Sequence, residues 1–370
     1  MRKVVFIVSS LAKTGPTQVL LDLIRGINTE EFYITLITIG KSLENTRFEE
    51  FNRLKIEIVD LNLTRIDFLI YGNKRLYSMI DSINPDIIHT MGVRADVAIS
   101  QNKKYSNKHI STIHCFVDEE YIFYYGKVIG EYLAKKHKKA MERIHIPVCC
   151  SKTLATKYRA NNVVQNPKLC YIQNGIDSTK FDMKPKKECR KKLKLPLEKK
   201  IFIFVGRLTP HKNPSLVIEA FKEAKRLDSL LLVLGDGKLY DLLKKENDGN
   251  IHILGSVNNV DEYLNASNYY ISASLTEGLP LSVMEAGMSG LGLLLSDIPQ
   301  HKEIIDSCPN KGVFYFDELD VTCISNVMKK VDKIDNIFIH NYFVKNFSSI
   351  RMAKEYIELY KNLIQEEEIL

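Results

Sequence analysis

Short apolar runs alternate with helix-period stretches along nearly the whole of this chain, and that alternation restricts its fold more than any other feature. Residues 3–9 read as a strand, and 17–28 follow as a helix with Val19, Leu20, Leu23, Ile24 and Ile27 on one face. Further strands are expected at 32–39, 55–59, 86–90 and 109–114, with a helix over 67–83. Residues 148–150 run into Ser151, a helix N-cap, and 169–172 end at Asn174-Gly175. Strands separated by helices pair through crossovers, so the sheet should be parallel.

The Lys-rich segment 176–200, with Pro185 and Pro196, breaks the rhythm and reads as an inter-domain region. The alternation then restarts. Strands are expected at 201–205, 230–234, 251–254, 269–272 and 292–296, with helices near 214–227, 239–245 and 260–264 and from Leu281. Met352, Ala353, Tyr356, Ile357, Tyr360 and Ile364 recur at helical spacing and predict a packed C-terminal helix. The expected fold is α/β: two Rossmann-like, doubly wound domains facing a central cleft. Residues 1–178 form the first, 179–345 the second, and a helix within 346–370 packs back toward the first. Ligands of such sheets bind at the carboxyl ends of the strands. The candidate loops are therefore 10–16, 90–94 and 114–118 in the first domain, and 206–212, 235–237, 274–280 and 297–301 in the second.

Composition closes off other classes. No run approaches the ~20 apolar residues that span a bilayer. The N-terminal apolar stretch is short and enters Gly15-Pro16 without a small-residue cleavage site, so it reads as a strand rather than a leader. The seven cysteines, 115, 149, 150, 170, 189, 308 and 323, form no CxxC pair, which favours a reducing cytoplasm over a disulfide framework or a zinc site. Residues 1–190 carry 30 Lys and Arg against 20 Asp and Glu, whereas 191–370 carry 22 against 25. The basic half points to an anionic partner or simply to a basic surface. No nucleic-acid-binding motif is present, and nucleic acid is not expected as a partner.

Several constellations carry chemistry. SSLAKTGPT lacks the GxGxxG fingerprint, which disfavours a dinucleotide enzyme. Its Gly15-Pro16 step either lets a phosphate approach the backbone or is only a tight turn. In FVGRLTPHKN, Arg207 and Lys212 share the loop after a strand, where two cations can converge on a diphosphate or merely face solvent. In TEGLPLSVMEA, Glu277 precedes the Gly278–Pro280 turn and Glu285 lies in the early turns of the next helix. Carboxylates accept from sugar hydroxyls, and the N–H groups of Leu281 and Ser282 can hold a phosphate. His89 and His114 both end strands on the ligand side, as functional or as structural histidines. The segment after His114, CFVDEEYIFYYG, reads as an aromatic, acidic loop shaping an acceptor pocket; its consecutive Asp118, Glu119 and Glu120 suit no metal. Residues 127–143 combine Lys135, Lys136, Lys138 and Lys139 with apolar positions, the pattern of a basic amphipathic helix on a membrane or of a solvated helix packed on the domain.

Together these segments resemble the retaining glycosyltransferases of family 4, with GT-B architecture. The resemblance rests on YIQNGIDSTKF, FVGRLTPHKN, LVLGDGKL and the E-x7-E segment TEGLPLSVMEA in this order. It implies that Arg207 and Lys212 bind the donor diphosphate, that Glu277 contacts the donor sugar and Glu285 the ribose, and that Gly15 lines the diphosphate loop. It places His114 beside the transferred sugar. Two departures stand out: Thr14-Gly15-Pro16-Thr17 replaces a Gly-Gly-x-Glu-like segment, and Gly290-Leu291-Gly292 replaces Gly-x-Pro.

The implied reaction is transfer from a nucleotide sugar, UDP-sugar favoured, to a glycan or lipid-linked glycan in bacterial surface polysaccharide synthesis, with retention and without a metal or other cofactor. The expected site is cytoplasmic, at the inner face of the membrane if the basic helix meets anionic lipid. The alternatives are a nucleotide-sugar epimerase of related architecture and an inactive sugar-nucleotide-binding subunit; donor isomerisation marks the first, and binding without turnover the second.

Overall fold

A computed structural model describes residues 1–27, 30–41, 46–160, 162–305, 312–331 and 334–369. Cys308 lies outside them. The chain forms two compact units, Met1–Gly175 with Ser349–Leu370, and Ile176–Ser348.

The first unit is built on seven strands: β1 (Arg2–Val8), β2 (Phe32–Gly40), β3 (Glu57–Leu63), β4 (Ile87–Met91), β5 (His109–Ile113), β6 (Ile146–Cys149) and β7 (Cys170–Tyr171). They pair in the order β3-β2-β1-β4-β5-β6-β7, every pair parallel. The helices that matter below are α1 (Gly15–Gly26), α2 (Val93–Ser100), α3 (Val117–Tyr125), α4 (Lys127–Met141) and α5 (Lys152–Ala160). α1 starts two residues before the expected Thr17, at Gly15: Thr14 accepts from the Thr17 amide at 3.4 Å and Pro16 fills an early position whose N–H would go unused.

The C-terminal helix, Ser349–Ile369, belongs to this first unit. Tyr356 and Tyr360 are fully buried, and their hydroxyls meet Thr112 at 2.7 Å and His89 at 2.6 Å.

The second unit has β8 (Lys200–Val205), β9 (Ser229–Leu234), β10 (Ile251–Gly255), β11 (Tyr269–Ser272), β12 (Gly292–Ser296) and β13 (Val313–Phe316), in the order β10-β9-β8-β11-β12-β13, again parallel. Every residue of SLLLVL in β9 and of GLLLS in β12 is buried, because helices cover both faces of a parallel sheet. Its relevant helices are α6 (Pro214–Ala224), α7 (Leu281–Met288) and α8 (Pro299–Ile305).

Two readings are corrected. The aromatic, acidic stretch after His114 is a helix, α3, not a loop. It packs against α4 so closely that a Cβ on Gly130 would lie 2.5 Å from the Ile122 Cα, so only glycine fits this crossing. The segment 176–200, read as an inter-domain region, falls within the second unit and includes a helix, Lys186–Lys192, whose buried Arg190 donates to the Ala266 carbonyl at 2.8 Å.

Candidate active site

In each sheet the strand order reverses once, between β1 and β4 and between β8 and β11. Loops leaving neighbouring strands at such a point diverge and open a crevice at the carboxyl ends. In the second unit, the loop after β8 carries Arg207 and Lys212 and the loop after β11 carries Glu277. The structure brings Lys212 and Glu277 together across the crevice. The Lys212 ammonium donates to both carboxylate oxygens, at 2.5 Å to Oε2. The side chains are only 18% and 9% exposed, so this pair is far less screened than a surface ion pair. A backbone bond from Leu275 N to His211 O, 2.9 Å, stitches the same two loops. Burial pushes the Glu277 carboxyl upward, but the Lys212 charge and hydrogen bond, aided by His301 and Ser274, outweigh it and hold the acid below its ordinary range.

The loop that carries Arg207 is clasped from behind by Gly235-Asp236-Gly237. Gly206 N donates to Leu234 O at 3.0 Å, and Leu208 N to Asp236 O at 2.9 Å. Gly235 has φ +136°, and a Cβ there would lie 1.8 Å from the Gly206 oxygen. The glycine is thus a condition for the loop's position. Arg207 itself is exposed.

α7 begins beyond the Gly278–Pro280 turn. Pro280 offers no side-chain cap, which leaves the first amides of the helix, at Leu281 and Ser282, without one. Ser282 Oγ lies 2.8 Å from the buried Tyr270 hydroxyl. Burial raises the Tyr270 pKa, and the carboxylates of Glu277 and Glu285 both add to the rise, which places the two acids around one phenol.

Ser274 and His301 fall in candidate loops 274–280 and 297–301, but the sequence reading gave no role to them or to Ser296; all three are fully buried here. Ser274 bonds Glu277, Ser296 Oγ donates to the Ser274 carbonyl at 2.7 Å, and His301 Nδ1 lies 2.9 Å from the Ser296 carbonyl. Three polar residues separated by 27 positions have no motif to announce them.

In the first unit, Gly15 opens α1 beyond β1, and His114 follows β5. Burial pushes His114 down to about 4, partly opposed by Asp96, so the ring is neutral at pH 7. Its Nε2 is buried with no hydrogen-bond partner. His89 is different. Both ring nitrogens are used, Nδ1 by Tyr360 and Nε2 by Thr112 at 2.7 Å, and the residue is fully buried, so it is a structural histidine. Beyond the strand ends β1–β3, Ser10, Thr38, Lys41, Thr46 and Asp60 line a small cavity that no sequence motif marked.

α4 turns Gly130, Ala134, His137, Ala140 and Met141 inward. His137 Nε2 meets the buried Asp96 carboxylate of α2 at 2.6 Å, and its Nδ1 lies 2.7 Å from the Tyr121 hydroxyl. That anchor fixes which face is outward. Lys135, Lys136 and Lys139 are exposed there, whereas Lys138 is tied to Asp118 at 2.7 Å. Val128, Ile129 and Tyr132 are exposed too, at 81%, 57% and 57%. Among the described residues, no helix is long and apolar enough to cross a membrane, and no three His, Cys, Asp or Glu side chains gather as a metal site.

Residues 14–180 match the family model for Glycosyltransferase Family 4, and 185–332 the model for Glycosyl transferases group 1. A UDP-Gal:alpha-D-GlcNAc-diphosphoundecaprenol alpha-1,3-galactosyltransferase of Escherichia coli is 31% identical over 214 residues, a stretch covering 53% of this chain and 55% of that protein. The chain thus matches only about half the length of that relative. The O-antigen biosynthesis glycosyltransferase WclY of Escherichia coli is 24% identical across 98% of this chain and 99% of its own. Among solved structures, HepE of Anabaena in complex with UDP superimposes with a TM-score of 0.79 at 12% identity, over 98% of this chain and 100% of that one. HepE has also been solved with UDP-glucose. These structural likenesses establish the GT-B fold.

Proposed function

The chain belongs to the glycosyltransferases, a family 4 domain followed by a group 1 domain, and from that premise we propose that it transfers a sugar, with retention, from a UDP-sugar to a lipid-linked glycan during bacterial surface polysaccharide synthesis. The observation that carries the reading is the buried Lys212–Glu277 pair at the β8/β11 crevice, with Arg207 in the same loop. In transfer, the bond from the anomeric carbon to the phosphate oxygen breaks, an acceptor oxygen bonds that carbon, and the acceptor's proton departs. Negative charge grows on the leaving diphosphate. Lys212, Arg207 and the uncapped amides at Leu281 and Ser282 would stabilise it, most strongly in a crevice that excludes water. Glu277 would accept from the donor sugar's hydroxyls and Glu285 from the ribose diol. Gly15 would let the diphosphate approach the backbone, and His114, neutral with an open Nε2, would meet the transferred sugar. The galactosyltransferase relative, which uses UDP-Gal and a diphosphoundecaprenol-linked sugar, supports the UDP donor and the lipid-linked acceptor, and the O-antigen relative supports surface polysaccharide synthesis. A screen of UDP-sugars against diphosphate-lipid acceptors, read by mass, tests the assignment, and NMR of the new anomeric carbon tests retention. Donor isomerisation without transfer, or an inverted product, would contradict it.

The cations just named supply the charge that a divalent ion supplies elsewhere, so the transfer is proposed to need none. Activity should persist after exhaustive chelation and dialysis. Loss that a stoichiometric divalent ion restores would refute this.

A lipid-linked acceptor requires the enzyme to meet a membrane. The tip of the α3–α4 hairpin suits that encounter, with Val128, Ile129 and Tyr132 exposed beside Lys135, Lys136 and Lys139. Each lysine near an anionic surface contributes roughly 1 kcal/mol, less at high salt. Replacing these three lysines by Gln should lower sedimentation with anionic vesicles at least about tenfold and slow turnover of vesicle-borne acceptor more than that of a short soluble one. Equal vesicle binding would make α4 an ordinary solvated helix.

A further inference from the structure

The proposed function leaves Glu277 with a problem. In the free protein both its oxygens are held by Lys212. If Lys212 turns to the donor's phosphates, a carboxylate 9% exposed loses its cation, and an uncompensated buried charge is strongly disfavoured. Something must replace the ammonium or the site will not hold its shape.

His301 on α8 is built for that. A carbonyl only accepts, so the 2.9 Å contact between His301 Nδ1 and the Ser296 oxygen places the ring hydrogen on Nδ1. The Ser296 hydroxyl, 3.2 Å from the same nitrogen, is already spent on the Ser274 carbonyl. The lone pair is therefore on Nε2, and Nε2 is buried with no hydrogen-bond partner. A fully buried imidazole with one nitrogen locked and the other bare is costly unless the bare nitrogen has a use. The locked Nδ1 side also ties His301 to the Glu277 loop: Ser296 Oγ donates to the Ser274 carbonyl and the Ser274 side chain bonds Glu277, and the ring and the carboxylate lie near enough for each to shift the other's pKa.

We propose that His301 is the reserve cation of this site: when Lys212 leaves Glu277 for the donor diphosphate, His301 Nε2 takes one proton from bulk solvent and the imidazolium holds the Glu277 carboxylate in place. The inference rests on the reading of Lys212 as a diphosphate ligand. His301 acts through Glu277 and is a positioning residue.

The electrostatics have the required sign. Burial lowers the His301 pKa, Glu277 raises it, and Lys212 lowers it again. Moving Lys212 away removes one depressing charge and frees the raising one. On its own helix, Lys302 is turned to Asp297 at 2.6 Å, and Glu303 is adjacent; from the helix Asn336–Phe347, Tyr342 bonds the Ile304 carbonyl at 2.8 Å. Because the bound state has the higher proton affinity, donor binding should be tightest at low pH and weaken as pH rises through the bound-state pKa.

Two experiments decide it. UDP-glucose is titrated calorimetrically at pH 6.5 in buffers of different ionisation enthalpy. Both its phosphates are esterified on each side and carry constant charge there, so any proton taken up belongs to the protein. Wild type should take up about half a proton or more per ligand, and His301→Asn, which keeps a donor to the Ser296 carbonyl, should lose that uptake. No uptake in wild type, or the same uptake in H301N, overturns the proposal. Second, the His301 ring is titrated by NMR in ligand-free wild type and Lys212→Met. Removing the ammonium should raise its pKa by about one unit or more; an unchanged pKa overturns the proposal. If UDP-glucose does not bind wild type at all, the donor reading fails, while the K212M titration still decides the role of His301.

Discussion

Lys212→Met is expected to lower kcat/KM for sugar transfer by roughly 10²–10³-fold, the loss typical when one preorganised stabiliser of developing charge is removed. The fall should be larger in kcat than in donor affinity, because the contact strengthens as the diphosphate leaves. The substitution also removes the ammonium that now does most to hold Glu277 below the ordinary carboxylate value of 4.5. A depressed carboxylate contributes stability that is present above its unfolded pKa and lost as pH falls through the folded one. Without Lys212, burial acts on Glu277 with less opposition and its pKa should rise, so K212M should be less stable than wild type near neutral pH, and the gap should narrow as the carboxyl is protonated on acidification. Adding Glu277→Gln to K212M should recover stability at neutral pH, where the unpaired carboxylate is charged, without restoring the rate. Steady-state kinetics and pH titrations of wild type and the two variants separate the two effects. Unchanged kinetics in K212M would remove Lys212 from the mechanism.

Gly235→Ala is expected to cost about 3 kcal/mol or more, because it combines a backbone conformation reserved for glycine with a severe overlap. The new Cβ would lie 1.8 Å from the Gly206 oxygen, and that atom is backbone, not the free end of a side chain. Relief requires moving the loop that carries Arg207 and Lys212. The melting temperature should drop by about 6 °C or more, and surviving protein should use donor poorly. A melting temperature within a degree of wild type would show that the clasp does not position the loop.

Much of the fold was legible because parallel sheets impose it locally. Strands covered on both faces are unbroken apolar runs, and β9 and β12 are such runs. Tyr269–Ser272, Gly292–Ser296 and the start of the helix at Leu281 were read to the residue. α3 escaped because VDEEYIFYY shows no 3.6-residue stripe; its order comes from α4, through the close crossing at Gly130. Lys186–Lys192 escaped for a similar reason, since its anchor is a buried arginine reaching Ala266.

At the site, the loops bearing Lys212 and Glu277 were legible, but their contact follows from β8 lying beside β11, a fact of topology rather than of spacing. His89 and His114 looked alike as strand ends. What separates them is Tyr360, 271 residues from His89 in sequence. His301 was legible only as the end of the candidate loop 297–301, because its meaning lies in an empty nitrogen that only packing reveals.

The central claim is that the β8/β11 crevice takes the donor diphosphate. Amide hydrogen exchange with and without saturating UDP tests it most directly, since it locates binding without assuming a catalytic role for any residue. Protection should concentrate in peptides spanning 206–213 and 275–285, the two loops joined by Lys212 and Glu277. UDP that binds while leaving both segments unchanged would contradict the account.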